Sequence, residues 1–172
     1  MSGKVILYIA VSLDGCIADA AGGINWLGGA DPQYKGDYGY EAFFRGIDTI
    51  VMGWNTYWQV ETELAPGQWP YAGKETYVLT HRRLQDKIGI HFLEQPAVKL
   101  VSDLKERGNV WVCGGANLVG QLLESIDEFH LSVMPVLLGD GIRLFPKGGL
   151  RRLTLVSAEE ENGILNCVYK RV

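Results

Sequence analysis

Three short stretches of this 172-residue chain carry residue types suited to holding a bulky anion. The first is Gly114-Gly115, which ends an apolar run of strand type, Val110 to Cys113. A helical stripe of Leu118, Leu122, Leu123 and Ile126 follows at i, i+4, i+5, i+8 spacing. Glycines at a strand-to-helix turn let a backbone come close to a ligand, and the unpaired N–H groups and positive end of the new helix favour negative charge. The arrangement suits a dinucleotide's pyrophosphate; it also suits a tight connection with no ligand at all. The second stretch, Gly53-Trp54-Asn55-Thr56, closes a strand from Asp48 to Met52, with Asn55 or Thr56 placed to cap a short helix through Tyr57 and Trp58. The third is His81-Arg82-Arg83, at the end of a strand from Glu75 to Thr80. Its basic groups can grip a phosphate monoester through charge-assisted hydrogen bonds, or stand as solvated charge.

The elements that must position these stretches follow from periodicity. Lys4 to Val11 is nearly unbroken apolar and rich in β-branched residues, which predicts a central strand covered on both faces. A long loop follows through Ser12-Leu13-Asp14-Gly15 to Trp26, whose indole is either a staple for the loop or a wall of a pocket. Tyr40, Phe43, Phe44 and Ile47 predict a helix between Pro32 and Gly46 with an aromatic face on the sheet, its first turns weakened by Gly36 and Gly39. Asp37 and Glu41 share a flank of that helix, as a solvated pair or as a proton donor facing a pocket.

Ile88 to Leu93 reads as a short strand and Ala97 to Arg107 as a helix. Phe129 to Leu138 is a strand whose Pro135 predicts an edge or a bend. Asn162-Gly163 joins the last two strands, Leu153 to Glu160 and Ile164 to Val172, as a hairpin. Strand and helix alternate four times before that hairpin, which predicts one α/β domain over 1–172. Its sheet is mixed but mostly parallel, with helices on both faces. Ligands of such sheets bind beyond the carboxyl ends of the strands, where all three anion-suited stretches fall.

Composition bounds the partners. A net charge of −4 leaves no footprint for nucleic acid or an anionic membrane, so a small molecule or a second copy of the chain is expected. Three cysteines, Cys16, Cys113 and Cys167, form no CxxC or metal-ligand spacing and favour a reduced, cytoplasmic protein. The first apolar run is too short to span a bilayer. Ser12 has no motif pairing it with a base, and His81, His91 and His130 lack ligand spacing, so no metal is expected and His130 reads as structural. No GxGxxG follows the first strand, which disfavours a Rossmann dehydrogenase.

Taken together, AVSLDGCIA, IVMGWNTY and the run from Val110 through Gly114-Gly115 and Asp127-Glu128 to Leu144 resemble the dihydrofolate reductase superfamily. The closer likeness is to the branch containing the reductase domain of the riboflavin-biosynthesis deaminase-reductase. This resemblance implies a three-layer α/β/α dihydrofolate reductase-like fold, a homodimer, and a reductase that passes hydride from NADPH to a pterin, pyrimidine or ribosylamino substrate. It implies that Ala10 and the loop of Asp14 border the nicotinamide, with Trp26 on the loop that closes over it. Gly53, Asn55 and Thr56 would meet the phosphates from one side, and Gly114, Gly115, Ala116, Asn117 and Leu118 from the other. Thr80, His81 and Arg82 would sit by the adenosine 2′-phosphate. Water, Asp14 or Glu41 would supply the proton. The chain departs from the superfamily's pattern at Trp54, where a basic residue is usual, and from the riboflavin branch at Cys113, where an acid is common. A module that keeps the nucleotide cleft without catalysis is the other expectation.

Overall fold

Alternation within strand β1 (Val5–Ser12) sets the layers. Val5, Leu7 and Val11 enter one hydrophobic core, while Ile6 and half-buried Tyr8 enter another on the opposite face, as a strand's two-residue period requires. β1 pairs in parallel with both β6 (Val110–Gly114) and β7 (Glu128–Met134), so it is central, as its apolar run predicts. The computed structural model describes residues 2–145 and 148–172. Parallel pairing continues outward from β6 through β3 (Thr49–Gly53) and β4 (Glu75–Leu79) to β5 (Ile90–Leu93). Beyond β7 lie β10 (Ile164–Arg171) and β9 (Leu153–Glu161), both antiparallel, giving the order β5-β4-β3-β6-β1-β7-β10-β9. Asn162 and Gly163 join them with φ of 52° and 77°, the paired left-handed geometry of a two-residue hairpin turn.

Helices α3 (Ala97–Lys105) and α4 (Ala116–Leu122) bury Leu100, Val101, Leu104, Leu118 and Leu122 against one face. Helices α1 (Tyr40–Arg45) and α2 (Trp54–Gln59), the latter running into one π-helical turn at Val60–Leu64, bring Phe43, Phe44 and Tyr57 to the other. The result is the three-layer α/β/α arrangement of a dihydrofolate reductase-like fold. α2 and α4 leave adjacent strands β3 and β6 toward opposite faces, and this opens a crevice between the two turns.

Two local expectations are corrected, and of the two readings of Pro135 the structure takes the bend. The aromatic helix spans six residues, not the whole of 32–46, because Tyr38 and Gly39 hold φ of 54° and 78°. Asp37 therefore lies ahead of the helix, where its carboxylate accepts the N–H groups of Gly39 and Glu41. Pro135 marks a bend and no edge: β7 sits between β1 and β10, and the Val136 N–H donates back to the Met134 carbonyl at 2.8 Å. Part of the loop after β1 is ordered as a short strand β2 (Cys16–Ala18) paired with β8 (Ile142–Arg143).

The C-terminal strand also braces the third layer. The Arg171 guanidinium donates to the Ile126 carbonyl at 2.7 Å, to Glu124 at 3.1 Å and to the Leu123 carbonyl, immediately beyond α4.

Candidate functional site

The carboxyl ends of β1, β3, β4, β5 and β6 open into one cleft of about 1310 Å³. A pocket for one drug-sized molecule measures roughly 300–1,000 Å³, so this cleft has room for two ligands side by side. One half is backbone-rich. A Cβ built on Gly53 would stand 4.0 Å from the Gly114 carbonyl and the Gly115 N–H, so the two turns face each other closely. Gly115 has extended backbone, φ −88° and ψ −159°, and a Cβ there would meet only the Thr56 hydroxyl at 3.6 Å. Gly114 differs: its φ is +129° and a Cβ would press Ile9 at 3.3 Å. The Gly114–Gly115 peptide is cis.

Neither α2 nor α4 has a side-chain cap, so their first-turn N–H groups stay open toward the cleft. Asn55 and Thr56 lie inside the first turn of α2, after its cap residue Gly53, which corrects the capping expectation. α4 is only seven residues long, so open N–H groups matter more here than a long helix dipole.

The structure gathers Ala10, Gly53, Asn55, Thr56, Thr80, His81, Arg82, Gly114, Gly115, Ala116, Asn117 and Leu118 on the lining of this one cleft. The basic trio beyond β4 divides. His81 Nδ1 is 2.6 Å from the Glu94 carboxylate. Arg82 has no carboxylate partner among the described residues; its guanidinium lies 4.7 Å from the centre of the Trp54 ring, which stacks in turn on Trp58. Trp54 thus holds a cation from the neighbouring strand at the cleft's rim. Arg83 does not reach the lining.

The three candidates for proton transfer or loop closure lie outside the cleft lining. Asp14 accepts the Ser12 hydroxyl at 2.6 Å and the N–H groups of Leu138 and Gly139 at 3.2 and 2.8 Å. These bonds, the Ser12 hydroxyl first, lower its pKa to about 2. A carboxyl so acidic carries no proton to donate at neutral pH, so Asp14 serves as a loop clasp. Trp26 is the staple of its loop, donating Nε1–H to the Gly23 carbonyl at 3.1 Å. Glu41 is exposed, on the outer side of α1.

The clasp makes a pH prediction. A folded-state pKa below the ordinary carboxylate value of about 3.9 adds stability above that pH and loses it as pH falls toward 2. Asp14→Ala is expected to lower the melting temperature at pH 7, and the gap from the wild type should close as acid is added. Melting curves across pH check this; a constant gap would exclude the clasp.

The other half of the cleft lacks an obvious sequence signal. Tyr8 of β1, Trp111 and Cys113 of β6, Tyr40 of α1 and Tyr71 from the loop before β4 form an aromatic wall. Ring centres are 5.2 Å apart for Tyr71 and Trp111, and 6.2 Å for Tyr40 and Trp111. Cys113 faces this space as well as the core. Burial pushes its thiol up to about 12 and the Tyr40 hydroxyl likewise to about 12.

Residues 3–163 match the family described as the RibD C-terminal domain. Bacillus subtilis (strain 168) protein YwjB is 42% identical over 151 residues, 84% of each chain. A crystal structure of a putative riboflavin biosynthesis protein from Shewanella sp. PV-4 superposes with a TM-score of 0.85 at 27% identity, covering 98% of this chain and 99% of that one. Dihydrofolate reductase from Enterococcus faecalis, complexed with NADP(H) and RAB-propyl, covers 99% of this chain and 98% of its own with a TM-score of 0.69. At 16% identity that last likeness is one of fold.

Proposed function

The chain belongs to the RibD C-terminal domain family, and from that premise we propose that it is an NADPH-dependent reductase of the riboflavin-biosynthesis type, acting on a small heterocyclic substrate. The observation that carries this reading is the pairing of two glycine turns across one crevice, with a carboxylate-free arginine at its rim. The backbone of Gly114 and Gly115 and the first turns of α2 and α4 would hold a pyrophosphate. Arg82, steadied by Trp54, would hold the adenosine 2′-phosphate, with Thr80 and His81 beside it. When bound, the coenzyme supplies the hydride. The chain's own residues bind it and place its nicotinamide near Ala10, beside the aromatic half of the cleft.

With Asp14, Trp26 and Glu41 outside the lining, a water molecule is the proton source in this reading. The transfer is then one of positioning more than of acid catalysis. A reducing compartment, the cytoplasm, suits the three free thiols of Cys16, Cys113 and Cys167. A second copy of the chain is the proposed macromolecular partner. The edge strand β9 exposes Leu155 and Val156 to 52% and 56%, and sedimentation at micromolar concentration should give a dimer.

Titration with NADPH tests the reading. Trp54, Trp58 and Trp111 line the cleft, so tryptophan emission should fall with transfer to the nicotinamide, and NADPH absorbance should decay once an accepted heterocycle is added. Emission that NADPH leaves unchanged would end the proposal.

A further inference from the structure

Building on the reductase reading, we propose that the cleft's second occupant is an uncharged, planar, conjugated molecule, bound by stacking and neutral hydrogen bonds, with no phosphate or carboxylate. The aromatic half of the cleft carries this inference. Its wall comes from four separate parts of the chain, Tyr8, Tyr40, Tyr71 and the Trp111/Cys113 pair of one strand, so it is a property of the fold and of no single segment. Trp111 offers only its hydrocarbon surface, because its one donor is spent on the Tyr8 carbonyl at 3.0 Å. The Tyr8 hydroxyl lies beside Ser132, and the side-chain polar atoms left are the hydroxyls of Tyr40 and Tyr71 and the thiol of Cys113, the last two 3.9 Å apart.

All three of those groups are neutral at physiological pH. The Cys113 thiol and Tyr40 hydroxyl are pushed up to about 12, and the Tyr71 hydroxyl is also raised, in each case chiefly by burial. The ionic residues of the cleft lie elsewhere in the chain: His81, Arg82 and Glu94 beyond the ends of β4 and β5, and Glu63 on the π-helical turn after α2. Two lysines touch the wider aromatic cluster among the described residues, and neither lines the cleft: Lys87 lies 5.5 Å from the Tyr57 ring centre with its Nζ held by Glu61 and the Tyr57 hydroxyl. Lys74 sits 5.3 Å from the Phe44 ring centre, but its Nζ is committed to the Ile47 carbonyl at 2.5 Å and lies outside the cleft lining.

Magnitudes decide between substrates. A phosphate monoester carries roughly −1.5 to −2 charges at pH 7, and enclosing it here without a cation would forfeit its hydration for nothing in return. A flat conjugated ring meets the opposite situation, since aromatic walls reward stacking and the three neutral polar groups satisfy ring nitrogens or carbonyls. For a C=N bond in such a ring the step balances simply. Hydride passes from NADPH to carbon, water gives a proton to nitrogen, and NADP⁺ and hydroxide remain.

The test uses one ring with and without the charge. 5-Amino-6-ribosylaminouracil and its 5′-phosphate are titrated into the whole protein, with and without NADP⁺, following tryptophan emission. The unphosphorylated compound should bind at least about tenfold more tightly in both conditions. Equal binding, or tighter binding by the phosphate, overturns the proposal. Trp111→Leu should weaken the neutral compound about tenfold or more and leave NADPH affinity within about threefold. Because Trp111 is also packed in the core, Tyr40→Ala on half-exposed α1 repeats the test in a position that tolerates truncation. Unchanged affinity for the neutral compound in Tyr40→Ala also overturns it. The two readings fail separately: absent NADPH binding with the preference intact sinks the reductase alone, and a lost preference with NADPH bound sinks the neutral pocket alone.

Discussion

Gly115→Ala should lose roughly a hundredfold in NADPH affinity, about 2.7 kcal/mol, while the protein still folds. Both halves of that outcome come from the geometry of one position. The backbone at Gly115 is extended, a conformation open to any residue, and the new methyl would meet the protein only at the Thr56 hydroxyl, 3.6 Å away. That distance is ordinary contact, so the fold has little to resist. The gap the methyl occupies is the one between the two glycine turns, where a pyrophosphate would have to touch backbone. Isothermal titration with NADPH, together with a melting curve, separates the two effects. An alanine variant that binds as well as the wild type would place the coenzyme elsewhere. Gly114→Ala is the contrasting control: at φ +129° and 3.3 Å from Ile9, it should lower the melting temperature first.

Arg82→Ala should weaken NADPH by roughly tenfold to a hundredfold and NADH by no more than about twofold. Charge-assisted hydrogen bonds to a phosphate give the guanidinium its value, and NADH has no 2′-phosphate to receive them. Arg82 is available for this because it lies over an aromatic ring and not against a carboxylate, unlike His81, which Glu94 engages at 2.6 Å. Trp54→Ala should give a smaller loss with the same selectivity, since it removes the surface on which the guanidinium rests and leaves the charge in place. Parallel titrations with the two coenzymes settle the matter. Equal losses for both would remove Arg82 from phosphate recognition.

The scaffold was legible wherever the pattern was local. The unbroken apolar run of β1, the Asn162-Gly163 turn and the strand-to-helix glycines each announce their structure within ten residues. So the layered sheet and the clustering of Gly53, Thr80 and Gly114 at one rim could be read from the chain. The acids could not be placed in that way. Asp14 looks available in its motif, yet partners 124 and 125 residues away claim its carboxylate. Glu41 is exposed, and its supposed helical neighbour Asp37 falls outside α1, which starts only after the left-handed residues Tyr38 and Gly39. The aromatic wall was hidden for a related reason. Tyr8 and Trp111 resemble any inward-facing strand residue until β1 and β6 are known to be neighbours, and Tyr71 lies in a stretch rich in Pro and Gly before β4 that carries no periodic pattern.

The anchoring of Arg171 beyond α4 bears on the cleft through the helix itself. Its guanidinium ties down the chain just past the helix whose opposite tip meets the cleft. Arg171→Ala would therefore loosen the floor beneath the glycine pair from the far side of the molecule.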